Sequence, residues 1–154
     1  MSDPADLSLE ITSDPGELAR VREAIRKWAI AEHWRESEVA DIVLAVDEAL
    51  SNVIRHGYDG KSGQPIEITV RALRDPARPG LEIVVRDYGK QVPVDQICGR
   101  DLDDIRPGGL GVHIIHSVMS DVKYEHAPGG GMRLVMRKYR ASTSAPSDAQ
   151  TEEP

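Results

Sequence analysis

The chain has 154 residues, 40% of them apolar, which is enough for one domain with a real core. Its formal net charge of −7 excludes a general nucleic-acid binder, which needs a basic face, and its one cysteine, Cys98, excludes an intrachain disulfide and fits a reducing cytoplasm. No basic start leads into an apolar leader and no stretch approaches the ~18 residues of a membrane span, so the expectation is a soluble cytoplasmic protein with no direct nucleic-acid or membrane contact.

Phenylalanine is absent, so the core must be aliphatic, with Trp28 and Trp34 as its bulky fillers. Residues 7–12 alternate apolar and polar, as a half-buried strand does. Ser13-Asp14-Pro15 offers helix-start chemistry, with Glu17 in the first turn. Leu18, Val21, Ala24, Ile25 and Trp28 recur at helical spacing and predict a first helix over 15–33. A second helix is predicted over 37–56, with Val39, Ile42, Val43, Val46, Ala49, Leu50 and Val53 as its buried stripe. Gly57 falls where a left-handed C-cap glycine is favoured, and a turn-rich loop follows over 58–65.

Residues 66–73 and 81–87 read as two strands around a hairpin connection, and the Ile83-Val84-Val85 run predicts burial on both faces of the second. The stretch 88–107 is irregular and rich in Asp, Gly and Pro, a loop of functional or mobile character in a compact domain. A third helix is predicted over 109–119, then strands over 121–125 and 132–139 joined by a turn at Pro128-Gly129-Gly130-Gly131. From Ala141 the chain is Ser, Pro, Ala and acidic, which predicts a disordered tail over 141–154. The order β-α-α-β-β-loop-α-β-β predicts an α+β fold, a two-layer sandwich of one mixed, mostly antiparallel sheet with three helices on one face.

Glu48 and Asn52 stand one helical turn apart and share a face away from the apolar stripe, and His56 extends that row. A solvated helix face accounts for such a row, yet Asn costs roughly 0.5 kcal/mol or more against Ala inside a helix. A functional reading supplies a reason. Mg²⁺ takes oxygen ligands and touches few protein groups, so the Asn52 amide oxygen suits it, with nucleotide phosphates completing the shell. Glu48, one turn earlier, then sits near the terminal phosphate as a general base.

Asp87 ends a buried strand before Tyr88-Gly89. Its carboxylate suits the exocyclic amine of adenine, with Gly89 leaving room for a flat ring; an ordinary Asp-x-Gly turn fits as well. Gly108-Gly109-Leu110-Gly111 leads into the third helix, whose N-terminal N–H groups and dipole suit a polyphosphate; a glycine loop capping a packed helix fits equally. Arg106, just upstream, either reaches phosphate or is solvated. Three other features carry no chemistry. Gly60-Lys61-Ser62 lacks the earlier glycine of a P-loop and follows a helix, His113 and His116 have no third metal ligand, and Cys98 has no nearby base.

The order of these segments resembles the GHKL superfamily of ATP-binding domains, with its E-x-x-x-N helix, D-x-G turn, mobile lid and glycine turn before a helix. Residues 44–58 and the Gly109-to-Asp121 stretch resemble its bacterial anti-sigma-factor serine kinase branch in particular. The resemblance spans about 7–139 and implies the Bergerat fold over a single 1–140 domain. It implies that Asn52 holds Mg²⁺, Glu48 is the base, Asp87 contacts adenine and 109–111 face the phosphates. His56, Gly89, Val92, Arg106, Gly108, Leu110 and Val112 join them in the nucleotide site, under a lid over 94–107. It also implies a homodimer whose partners are a sigma factor and an anti-sigma-factor antagonist, phosphorylated on serine. Two departures stand out: Lys90-Gln91-Val92-Pro93 replaces the second glycine that often follows the D-x-G turn, and Met132 stands where a small hydroxyl residue is common.

The expected function is therefore an ATP- and Mg²⁺-dependent protein serine kinase acting as an anti-sigma factor. The rival is a nucleotide-gated binding module without transfer activity, against which Glu48 argues, because a pure binder needs no base. A sensor histidine kinase needs a helical phosphoacceptor region for which the chain has no room.

Overall fold

The computed structural model describes residues 6–91 and 109–141, with the backbone alone for 109–113. In chain order the elements are β1 (Leu7–Thr12), α1 (Glu17–Ala31), α2 (Glu36–Asn52), a π-helical turn (Val53–Gly57), β2 (Pro65–Leu73), β3 (Gly80–Asp87), α3 (Gly109–Val118), β4 (Asp121–His126) and β5 (Met132–Tyr139). The Arg106 and Gly108 expectations, the lid over 94–107, Val92, Cys98 and the tail beyond Ala141 lie outside the described residues.

The strands form one five-stranded sheet in the order β1-β2-β3-β5-β4. All four pairings are antiparallel, so the mixed sheet expected from sequence becomes antiparallel throughout. The reason is topological. β3 and β4 run the same way, but β5 lies between them, so the parallel strands joined through α3 never touch.

Strand alternation sorts the side chains as a two-layer sandwich requires. Ile66, Ile68 and Val70 of β2 and Leu81, Ile83 and Val85 of β3 join Val21, Ile25 and Ala29 of α1 and Ile42, Val46 and Leu50 of α2 in one buried cluster. Leu134 and Met136 of β5 and Ile115 of α3 complete it, and α2 packs between α1 and α3. An ion pair from Arg22 to Asp47 (2.7 Å) ties α1 to α2.

The helix-free face of the sheet is charged. The expected burial of β3 on both faces is not met by its apolar run: Ile83 and Val85 both point into the helix-covered core, and Val84, on the other face, is half-buried, while Glu82 beside it on that face is only 8% exposed. Glu82 sits in register between Arg71 and Arg137 and accepts from both Nε atoms at 2.9 Å. Neighbouring long side chains thus cover this face in place of a second layer.

Helix boundaries differ from expectation for local reasons. α1 starts at Glu17 because Ser13 and Asp14 are engaged elsewhere. The Ser13 hydroxyl donates to the Lys61 carbonyl (2.6 Å) and accepts from Gln64 N–H (3.0 Å), while Asp14 accepts from the Thr12 hydroxyl (2.7 Å). The α1–α2 corner is held from the far end of the chain. Arg140 donates to the carbonyls of Glu32 (2.5 Å) and His33 (3.4 Å) and stacks over the Trp34 ring at 4.2 Å.

Candidate functional site

Glu48 and Asn52 lie on α2, one turn apart, both half-buried. The Glu48 carboxylate forms no hydrogen bond or ion pair with the described residues. Asn52 is the last α-helical residue. Its Oδ1 accepts from Arg55 Nη2 at 3.2 Å, and its Nδ2 is buried without a partner among the described residues.

The helix does not continue to His56 in the same geometry. Residues Val53–Gly57 form a π-helical turn, closed by Tyr58 N–H donating to the Val53 carbonyl (3.0 Å). The wider turn carries the chain on from Asn52, and His56 is exposed. Nor is Gly57 left-handed. The chain reverses instead at Asp59 (φ 52°) and Gly60 (φ 79°).

Gly57 matters for proximity. A Cβ there would lie 3.7 Å from Asp87 Oδ1, and its carbonyl accepts from Lys90 N–H at 2.9 Å. A Cβ on Gly89 would stand 2.7 Å from the Gly57 carbonyl carbon, so only glycine fits at 89. The end of the E-x-x-x-N helix and the D-x-G turn are therefore brought together, as the sequence motifs require of one site.

Asp87 is 3% exposed at the end of β3. Its Oδ1 accepts from Gly89 N–H (2.9 Å) and Met132 N–H (3.2 Å), while Oδ2 accepts nothing from the described residues. Burial pushes the Asp87 carboxyl up, and those two N–H donors offset only part of that. Tyr58 braces the same turn, its hydroxyl accepting from Tyr88 N–H (2.7 Å) and donating to the Pro65 carbonyl (2.6 Å).

Sequence reasoning missed two residues here. Arg86 Nη1 donates to the carbonyls of Asp87 (2.7 Å) and Gly130 (2.6 Å), Nη2 donates to that of Pro128 (2.9 Å), and the guanidinium lies 4.1 Å over the Tyr88 ring. Gln91 Nε2 donates to the carbonyls of Gly131 (3.0 Å) and Ala127 (3.3 Å). The sequence signal for it was the Lys90-Gln91-Val92-Pro93 stretch, which stands where a second glycine often follows the D-x-G turn.

Gly109, Leu110, Gly111 and Val112 form the first turns of α3, which packs on α2 and so places this helix start in the same layer as Glu48 and Asn52. The residues present fit Mg²⁺. The Asn52 amide oxygen and the Glu48 carboxylate are hard oxygen donors, and a cation, the Arg55 guanidinium, already contacts Oδ1. Among the described residues, no group of three or more His, Cys, Asp or Glu converges into an alternative metal cage.

The chain is 28% identical over 148 residues to the serine-protein kinase RsbW of Bacillus pumilus, covering 90% of this chain and 89% of that protein. It is 31% identical over 105 residues to the anti-sigma F factor of Clostridium acetobutylicum, covering 66% of this chain and 70% of that protein. A crystal structure of the RsbU and RsbW domains of a Mycobacterium tuberculosis protein shares the fold, with a TM-score of 0.64 at 19% identity over 89% of this chain and 33% of that longer one. Residues 11–138 match the family model of the histidine kinase-like ATPase domain, and the chain belongs to that family.

Proposed function

We propose that this protein is an ATP-dependent protein serine kinase that binds a sigma factor and phosphorylates the antagonist of its own anti-sigma activity. The names borne by its relatives, serine-protein kinase and anti-sigma F factor, support this reading. The observation that carries the catalytic part is Glu48, a half-buried carboxylate without a partner among the described residues, one turn ahead of Asn52.

In this reading Asp87 accepts from the adenine amine through its open oxygen, and Gly57 and Gly89 leave space for the ring. Backbone N–H groups at the start of α3, with Arg106, Gly108 and Val112, hold the phosphates; Val92, Leu110 and His56 line the same cavity. Asn52 Oδ1 holds Mg²⁺, which when bound neutralises phosphate charge. The partner's serine oxygen forms the new bond to the γ-phosphorus as the bond to the β–γ bridging oxygen breaks, leaving ADP. Glu48 takes the serine proton. Most of the rate enhancement comes from positioning and fixed electrostatics. A homodimer completes the proposal on family resemblance alone.

Calorimetry with ATP, with and without Mg²⁺, tests it on the wild type and on Asn52→Ala. The wild type should bind ATP more tightly with Mg²⁺, and the variant should lose that gain. No ATP binding by the wild type would end the proposal.

A further inference from the structure

The turn between β4 and β5 is attached to the end of β3 by side chains from β3 and from the segment just after it. Arg86 grips the Pro128 and Gly130 carbonyls together with that of Asp87, and Gln91 grips those of Ala127 and Gly131. The fit is close: a Cβ on Gly131 would lie 2.7 Å from the Asp87 carbonyl carbon. The turn cannot hold that approach by itself, because Gly129, Gly130 and Gly131 all have positive φ and glycine's freedom favours many other paths. Four hydrogen bonds donated to the turn replace the missing stiffness, while Arg86 also holds the Asp87 carbonyl.

Position matters because the next residue after the turn is Met132, whose N–H occupies Asp87 Oδ1. That bond, with the one from Gly89 N–H, fixes which carboxylate oxygen is engaged and which stays open. An adenine amine donates to an open carboxylate oxygen, whereas the carbonyl of hypoxanthine at the same place is repelled by it. Discrimination of this kind depends on a fixed acceptor, since a carboxylate free to rotate adapts to either ring.

We propose that Arg86 and Gln91 are positioning residues for base selection: by clamping the 127–131 turn onto the end of β3 they hold Asp87 in the orientation that prefers adenine. This rests on the reading of Asp87 as the base-contacting group. Neither side chain touches the nucleotide. Gln91 acts through its amide, which donates to both the Ala127 and Gly131 carbonyls.

Competition calorimetry with ADP and inosine diphosphate on the folded wild type, Arg86→Ala and Gln91→Gly tests the inference. The wild type should prefer ADP. Each variant should lose ADP affinity by roughly tenfold, about one hydrogen bond's worth, while inosine diphosphate affinity moves less than about twofold, so the preference shrinks. If both nucleotides weaken together, the clamp is merely structural and the proposal falls; it falls too if the preference is unchanged. Should Arg86→Ala fail to fold, Gln91→Gly decides alone, since it removes two bonds and leaves the arginine in place. A wild type that binds ADP and inosine diphosphate alike would instead overturn the reading of Asp87 itself.

Discussion

Gly57 and Gly89 meet across the site: Lys90 N–H donates to the Gly57 carbonyl at 2.9 Å, and a methyl group on Gly89 would stand 2.7 Å from that carbonyl carbon. The two glycines are therefore not equivalent. Gly89→Ala drives a side chain into backbone and should lower stability by roughly 2–4 kcal/mol. At Gly57 the added methyl meets Asp87 at 3.7 Å, an ordinary contact, in helical backbone. Gly57→Ala should change stability by less than about 1 kcal/mol. Urea denaturation of the two variants beside the wild type measures the difference.

Glu48→Ala should abolish phosphate transfer while sparing nucleotide and partner binding. The expected loss is roughly 10²–10⁴-fold, the range of a general base. Transfer of labelled phosphate from ATP to the antagonist, followed beside calorimetric ATP binding, checks it. Full transfer by the variant would remove Glu48 from the chemistry.

Glu82 predicts a pH-dependent stability. Burial pushes its carboxyl up, but hydrogen bonds from Arg71 and Arg137 outweigh burial and hold it below the usual glutamate range. A depressed carboxyl stabilises the fold above its unfolded-state value and loses that contribution as pH falls through the folded value. Glu82→Gln should therefore cost about 1–2 kcal/mol at neutral pH, both arginines being half-exposed, and the gap should close below the ordinary glutamate range. Thermal melts of both proteins across the acid range read it out.

Asp87 has the opposite sign. Burial raises it, so the nucleotide-free fold should lose stability as pH climbs from the ordinary aspartate range through the raised value. Asp87→Asn keeps an acceptor and removes the titration, and should flatten that slope. Over the same window, ADP affinity of the wild type should rise with pH as the carboxylate ionises. Melts and calorimetry at stepped pH check both halves.

Much of the architecture was legible because it rests on periodicity. Val39, Ile42, Val43, Val46, Ala49 and Leu50 face the core as the 3.6-residue pattern requires, and residues 7–12 form the strand that their alternation predicts, with Ser8 and Glu10 outward. Asn52, Asp87 and Gly89 were legible as motifs. What escaped depends on contacts remote in sequence. Nothing local in 53–57 marks a π-helical turn where the second helix was expected to continue. Nothing around Ser13 shows that its hydroxyl is taken by Lys61 and Gln64. Nothing near Arg86 in sequence shows that the glycine turn at 128–131 comes within its reach.

The last strand among the described residues, β5, is an interior strand of the sheet, between β3 and β4. On a ribosome, β3 must wait for its neighbour until residues 132–139 have emerged, and the Arg140 grip on the first helical corner arrives later still. Emerging β1, β2 and β3 therefore present the unpaired edge of β3 until β5 follows, a template for wrong pairing that a chaperone would cover during synthesis.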